Sequence, residues 1–460
     1  MMISTGRRRN TISTADRVAV PILITLIVAC GLLGSRRSSA QQQPYRQHSV
    51  NNRTKETVLY AFKGSNDGEN PQGPSAPLLV GHDGSVYGTT LGGGEFGLGT
   101  VFKLDKKGHE TILHSFIGSN SADGAWPMGQ LAIAADGNLY GVTWTGGAYY
   151  SGTIYRLSTD GKGDEIVLYA FRGGADGATP SSGIIRDAAG NLYGATYGGG
   201  AYGSGVLFKL GTGGQLTVLY NFGAKQDDGT AVLGLTRDAR GNFYAASMTG
   251  GPSRYSQNCI QVNHFVAFGC GSIAKIDPKG HETFIHIFSG IHGDGGSPVG
   301  PVSLDETGNI YGTTLLGGTG SCQPIFSSTP GCGTIFKIDA AGKYTVIYSF
   351  PGIGRRGAGA IGGLVLDSSH NLYGTTEAGG LAGCPGGYYT SYSGCGLMFT
   401  LSASGKQTVL YKFTGGKDGG NPESGMVPSS AGSLLGTGFD GGNDYACSGH
   451  GCGVVFESPK

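Results

Sequence analysis

The segment Gly137-Asn138-Leu139-Tyr140-Gly141-Val142-Thr143 recurs along the chain, and no other feature restricts the fold as strongly. Its tyrosine reappears as Tyr87, Tyr193, Tyr244, Tyr311 and Tyr373, and a weaker seventh copy reads Ser433-Leu434-Leu435-Gly436-Thr437. Successive copies stand about 51 to 67 residues apart, the length of a four-stranded propeller blade with insertions. Each unit divides into four pieces. In the second unit a first strand, Gln130 to Ala134, turns through Asp136-Gly137 into the recurring second strand. A Gly-Gly loop leads to a third strand, Gly152 to Leu157, and the turn Asp160-Gly161 leads to a fourth, Ile166 to Phe171. Asp-Gly turns between short β-branched and aromatic runs are hairpin signals.

The fourth strand predicts how the units assemble. In Val58-Leu59-Tyr60-Ala61-Phe62, alternate residues point to opposite sides, and both sides are apolar. Such a sheet needs cover on both faces, which neighbouring units supply. Fourth strands end at Phe62, Phe116, Phe171, Phe222, Phe288, Phe350 and Phe413. The first of these precedes any first strand, while Gly453 to Glu457 is a third strand with no fourth strand after it. The two ends therefore complete one another. The expected fold is all-β, a seven-bladed β-propeller of four-stranded blades, closed by strand 56–62 pairing with strand 453–457. That overlap removes the edge strands a linear array would expose. An open β-solenoid is the alternative.

Composition agrees. The 89 glycines follow no three-residue period, which excludes collagen, and they suit many tight turns. Seven of the 32 basic residues (Arg7, Arg8, Arg9, Arg17, Arg36, Arg37 and Arg46) lie in the first fifty positions beside one acid, Asp16. The rest carries 25 bases against 30 acids. A mildly acidic body lacks the basic stripe that displaces counterions from a phosphate backbone, so no nucleic acid partner is expected.

The arginine cluster precedes an apolar run from Val18 to Gly34, the pattern of a secretory signal. Residues 1–40 are expected to be an export signal or anchor, 41–54 a polar linker and 55–460 the propeller. Three processing routes stay open: cleavage after Ser38-Ser39-Ala40, lipidation at Cys30, or an uncleaved signal anchor. Membrane attachment is expected only through the N-terminal segment, if it stays uncleaved or is lipidated at Cys30. Eight further cysteines fall into close pairs, Cys259 with Cys270, Cys322 with Cys332, Cys384 with Cys395 and Cys447 with Cys452. Four local disulfides in an oxidising compartment are predicted, each contributing about 3 kcal/mol in the chain-entropy model. The spacing does not match zinc sites. A location in the periplasm, on the outer surface or outside the cell follows.

The repeat Asp-x-x-Gly-Asn-Leu-Tyr-Gly-Thr-Thr, with its Gly-Gly loop and a third strand such as Gly99-Thr100-Val101-Phe102-Lys103-Leu104-Asp105, resembles the Gloeobacter–Verrucomicrobia tandem repeat of bacterial choice-of-anchor surface proteins. Its turn and strand are also similar to those of NHL-type propellers. The resemblance runs from about residue 56 to residue 457, and it implies an exported, surface-attached protein. It implies no catalytic residues.

Connections after the second and fourth strands share one face, which receives the Gly-Gly insertions, the cysteine pairs and the interblade loops. Binding is expected there, because variable loops on a rigid scaffold are where it usually sits. Trp126, Trp144, Tyr149, Tyr150, Tyr202, Tyr388 and Tyr389, with Tyr197 and Tyr392, are the candidate binding residues for a glycan or a surface protein. Their alternative is packing of loops on one another. Asp67, Asp123, Asp176, Asp228, Asp294 and Asp418 recur in the interblade loops. One carboxylate per loop falls short of a calcium site, and Asp-Gly turn formation explains them. His264, His292 and His450, with Asp294 and Asp440 nearby in sequence, are the residues a catalytic site would draw on. No nucleophile motif accompanies them, and no catalytic residue, metal or cofactor is assigned. A monomeric binding or scaffold module is the expected function; an exported propeller lyase or hydrolase using the same face is the alternative.

Overall fold

The computed structural model describes residues 56–458 apart from 72–76, 119–122, 161–164, 225–228, 252–268, 323–330, 353–355, 382–383, 385–392, 443–446 and 448–450. The expected signal and linker lie outside these residues. The described chain is all-β, seven antiparallel four-stranded blades in a ring. In blade 2 the strands run Gly124–Ile133, Leu139–Gly146, Thr153–Leu157 and Ile166–Ala170, hydrogen-bonded in that order. Blade 4 repeats this pattern, while in blades 1 and 3 the first strand is broken into two short pieces.

The ends of the chain share blade 7. Strand Thr57–Ala61 pairs with Val454–Glu457, Val58 opposite Phe456 and Ala61 opposite Val454. The Phe62 amide continues this by donating to Gly453 at 3.0 Å. The ring is closed as the repeat count predicts.

The core lies between blades. Each terminal phenylalanine of a fourth strand is fully or almost fully buried. Most of them meet an aromatic ring of the next blade's third strand edge-on. The centroid separation is 5.1 Å for Phe62 and Phe102, 5.2 Å for Phe171 and Phe208, and 5.6 Å for Phe350 and Phe399, while Phe413 and Phe456 meet tilted at 5.0 Å. Edge-to-face pairs of this kind contribute about 0.5–1.5 kcal/mol beyond area burial. The third-strand ring needs room, and the recurring glycine supplies it. A Cβ on Gly312 would lie 2.4 Å from Phe336 Cζ, and one on Gly436 2.5 Å from Phe456 Cζ.

The Asp-x-x-Gly-Asn-Leu-Tyr turn is a closed hydrogen-bond unit. Asp305 accepts from the Asn309 amide at 2.8 Å, from Asn309 Nδ2 at 2.7 Å and from the Tyr311 hydroxyl at 3.2 Å. Burial alone would raise the Asp305 pKa, but the donors from Asn309 and Thr307 outweigh it and bring the carboxyl to about 2. Asp187, Asp238 and Asp367 hold the same partners in their own blades. The segment is an element of the blade: its carboxylate is held by the turn's own donors, and Asn309 Oδ1 accepts from the Ala340 amide of the neighbouring turn at 3.2 Å.

Candidate binding face

The loops after second and fourth strands meet on one face because the backbone ties them together. Gly147, in the loop after a second strand, donates to Asp123 O at 2.6 Å. Gly200 donates to Gly174 O at 2.8 Å, and Gly318 to Asp294 O at 2.8 Å. The segment entering blades 2, 3, 5 and 7 adds a rung. The amides of Trp126, Thr179, Ser297 and Asn421 donate to Leu98, Ser151, Cys270 and Cys395 of the preceding blade at 2.7–2.9 Å. Loop tips on this face therefore stand on a hydrogen-bonded base.

Re-entry into the third strand depends on glycine. Gly152 has φ +93°, and a Cβ there would lie 2.4 Å from Thr143 O and 2.5 Å from Pro180 Cδ. L-residues rarely adopt that φ, and this approach leaves no space for a side chain.

The face divides into two sectors. Blades 4 to 7 carry long loops between second and third strands, and these hold the cysteines. Disulfides join Cys322 to Cys332, Cys384 to Cys395 and Cys447 to Cys452. Cys270 is also disulfide-bonded, and its expected partner Cys259 lies outside the described residues. The bridges pack onto the loop leaving the fourth strand, where Gly64 and Gly415 make room for Cys447 and Cys384.

Blades 1 to 3 have short loops, and each presents an aromatic ring at the same position after its Gly-Gly pair. Phe96 is 48% exposed, Tyr149 52% and Tyr202 58%. Tyr150, next to Tyr149, is 60% exposed and has φ 58°. The Arg172 guanidinium lies 5.9 Å from the Tyr149 ring centroid. Tyr149, Tyr150 and Tyr202 were expected on this face. Phe96 was not singled out, although aligning Gly94-Glu95-Phe96 with Gly147-Ala148-Tyr149 and Gly200-Ala201-Tyr202 reveals it.

The remaining aromatic candidates differ in exposure. Trp126 and Trp144 are only partly exposed, and the Trp144 ring lies 5.4 Å from Tyr197 in the next blade. Tyr197 in turn packs against the core between blades 4 and 5. Trp144 and Tyr197 thus meet across neighbouring blades. Tyr388, Tyr389 and Tyr392 lie outside the described residues.

The interblade aspartates are turn-formers that also reach across blades. Asp176 accepts from the Arg172 amide and the Tyr169 hydroxyl, each at 2.9 Å, and Asp418 accepts from the Thr414 amide at 2.9 Å and the Tyr411 hydroxyl at 2.8 Å. At the junction of blades 7 and 1, the Tyr60 hydroxyl lies 2.7 Å from Asp67 and 2.9 Å from Glu110. Three residues thus recur around the perimeter: an aromatic of one fourth strand, the loop aspartate, and the residue opening the next fourth strand. Where that last residue is Glu56, Glu110 or Glu165, two carboxyl groups meet. Burial, then the charge of Asp418, raises Glu56 to about 8, and burial, then the charge of Asp67, raises Glu110 to about 7. Burial, then Asp123, raises Glu165 to about 8. Asp228 lies outside the described residues.

Among the histidines considered for catalysis, His264 and His450 lie outside the described residues, and His292 is exposed in a turn at φ 56°. Asp294 serves His286 instead, 3.3 Å away, and also holds the Ser289 amide at 2.7 Å. Burial pushes Asp440 up to about 7. His286 and His114 are not among the residues that the sequence alone marks out. They take the place of Tyr60 and Tyr169 in the fourth-strand motif, so aligning the motif locates them.

Several solved structures are similar in fold. A protein from Lactobacillus plantarum is 15% identical over 77% of this chain and 88% of its own, with a TM-score of 0.47. A gluconolactonase from Xanthomonas campestris is 12% identical over 88% and 89%, with a TM-score of 0.41. PorZ, a surface component of the type-IX secretion system of Porphyromonas gingivalis, is 13% identical over 87% of this chain and 48% of its own, with a TM-score of 0.48. No curated protein matches the sequence. The Gloeobacter/Verrucomicrobia repeat, by contrast, matches residues 45–185, 74–258 and 260–459. From the first blade to the last, the chain belongs to the Gloeobacter/Verrucomicrobia repeat family.

Proposed function

We propose that this protein is an exported, surface-attached binding module that takes a glycan or protein ligand through the short-loop sector of blades 1 to 3. The observation that carries this reading is the exposure of Phe96, Tyr149 and Tyr202 at one repeat position on three consecutive blades. Exposed rings with two rotatable bonds lose little entropy on binding, and the hydrogen-bonded loop bases hold their spacing. Tyrosine faces flanked by Ser151, Ser204 and Arg172 suit stacking on sugar rings with polar contacts at the edges, which puts glycan first. The disulfides agree with an oxidising compartment, and so with export.

The test is a glycan array probed with the purified propeller and with a Phe96→Ala/Tyr149→Ala/Tyr202→Ala variant. Binding by the parent and its loss in the variant supports the glycan reading. A ligand captured equally well by the variant places binding elsewhere. A protein ligand lost in the variant keeps the sector and changes the ligand class.

A further inference from the structure

The perimeter triads differ at one junction in a way that changes their chemistry. The aromatic position is occupied, in blade order from the closing blade, by Tyr60, His114, Tyr169, Tyr220, His286, Tyr348 and Tyr411. The position opening the following fourth strand is Glu110, Glu165, Leu216, Glu282, Tyr344, Gln407 and Glu56. Phenol, aspartate and glutamate make a hydrogen-bonded staple. Imidazole, aspartate and glutamate make a set of metal-ligating atoms, and that combination arises once, at His114, Asp123 and Glu165 between blades 1 and 2.

The geometry follows from the repeat. His114 sits on strand Glu110–Ser115, Asp123 in the loop entering blade 2, and Glu165 just before strand Ile166–Ala170. Their ligand atoms all lie within 4.8 Å of one another. His114 Nε2 and Asp123 Oδ2 are 3.3 Å apart. That separation is compatible with the edge of about 3.3 Å between two ligands on a tetrahedral ion with bonds of about 2.0–2.1 Å, and because His286 and Asp294 show it too, the third group, Glu165, is what sets this junction apart. Asp123 is held by the Ile117 amide at 2.8 Å and the Gly124 amide at 2.7 Å, so its carboxylate is positioned in advance. Glu165 Oε1 is buried with no hydrogen-bond partner. Tyr155 OH, on the third strand of the same blade, is also buried and unpartnered. A buried polar atom left without a partner costs free energy that a ligand would recover.

We propose that His114, Asp123 and Glu165 form a site for one divalent transition-metal ion of the zinc class, joining the outer strands of blades 1 and 2. One nitrogen and two carboxylates are ligands that zinc accepts, and three protein ligands leave a fourth position for water. Calcium and magnesium prefer more ligands, all oxygen. The second histidine junction is an internal comparison. There His286 stands 3.3 Å from Asp294, but Tyr344 stacks on the imidazole at 3.6 Å where a glutamate would be needed.

Two substitutions test the site without inventing new chemistry at it. His114→Tyr installs the residue found at five of the other six junctions, and Glu165→Gln installs the residue found at position 407. The intact protein, stripped with a chelator, is titrated with zinc chloride by calorimetry and followed by thermal unfolding; circular dichroism confirms that both variants fold. The expected result is one zinc ion at this site, a melting temperature raised by zinc, and loss of that affinity by at least about tenfold in each variant. No zinc binding by the parent overturns the proposal, as does equal binding by His114→Tyr. Loss in only one of the two variants overturns the three-ligand site.

Discussion

Val58 stands opposite Phe456 in the sheet that joins the two ends of the chain. The Phe456 ring lies 5.0 Å from Phe413 in the preceding blade, and a Cβ on Gly436 would run into it. One residue near the C-terminus therefore locks a strand from the N-terminal side and a neighbouring blade. Closure is a packed contact, equivalent to those inside the ring, as the 5.1 Å separation of Phe62 and Phe102 demonstrates.

Phe456→Ala is expected to destabilise the protein by about 3–5 kcal/mol, as for other fully buried aromatic residues. Urea unfolding monitored by circular dichroism measures this. Removal of residues 1–62 should cost at least as much and leave the edges of blade 7 open to association, which light scattering detects.

Gly152→Ala should cost more than about 1 kcal/mol, since a Cβ there meets Thr143 O and the backbone has φ +93°. Gly174→Ala is the control: its Cβ would meet nothing within 4 Å. Parallel thermal melts compare the two, and equal shifts would show that the re-entry turn tolerates a side chain.

Stability should fall as pH rises from about 4.5 to about 8. Glu56 and Glu110, raised from 4.5 to about 8 and about 7, keep their protons in the folded state while the unfolded chain has released them. The folded state then binds more protons, so their contribution is complete below about pH 4.5 and is lost as pH climbs through the folded pKa values. Asp305 acts in the opposite sense: held at about 2, it stabilises above the unfolded value and loses that contribution in acid. A melting-temperature profile should peak on the acidic side of neutrality, and Glu56→Gln with Glu110→Gln should flatten its alkaline limb. An unchanged alkaline limb would show that the paired carboxyls do not share protons.

Replacing Cys322 and Cys332 together by serine should cost about 2–3 kcal/mol, because the bridge closes a loop across a sequence separation of 10 residues. The loops it staples lie in blade 5, so ligand binding by the short-loop sector should persist. Calorimetry and the glycan array read these two effects separately.

Much of this was legible in the sequence because it is either local or repeated. The seven copies of one turn and strand determined the number of blades, and counting fourth strands determined that the ends close on each other. Cysteine spacing marked the stapled loops. The exposed tyrosines Tyr149, Tyr150 and Tyr202 follow from short loops after a Gly-Gly pair, where little chain is available to cover them. What the sequence left open is which side chains meet from different blades. Asp294 is two residues from His292 yet serves His286 on the strand before it, and Trp144 turns toward Tyr197. Glu165 approaches Asp123 only because an outer strand of blade 2 lies against the loop that enters that blade. These contacts depend on strand twist and on the offset between neighbouring sheets, which join residues tens of positions apart. A local repeat motif encodes neither, so the perimeter triads and their one metal-ligating variant emerge from the tertiary structure.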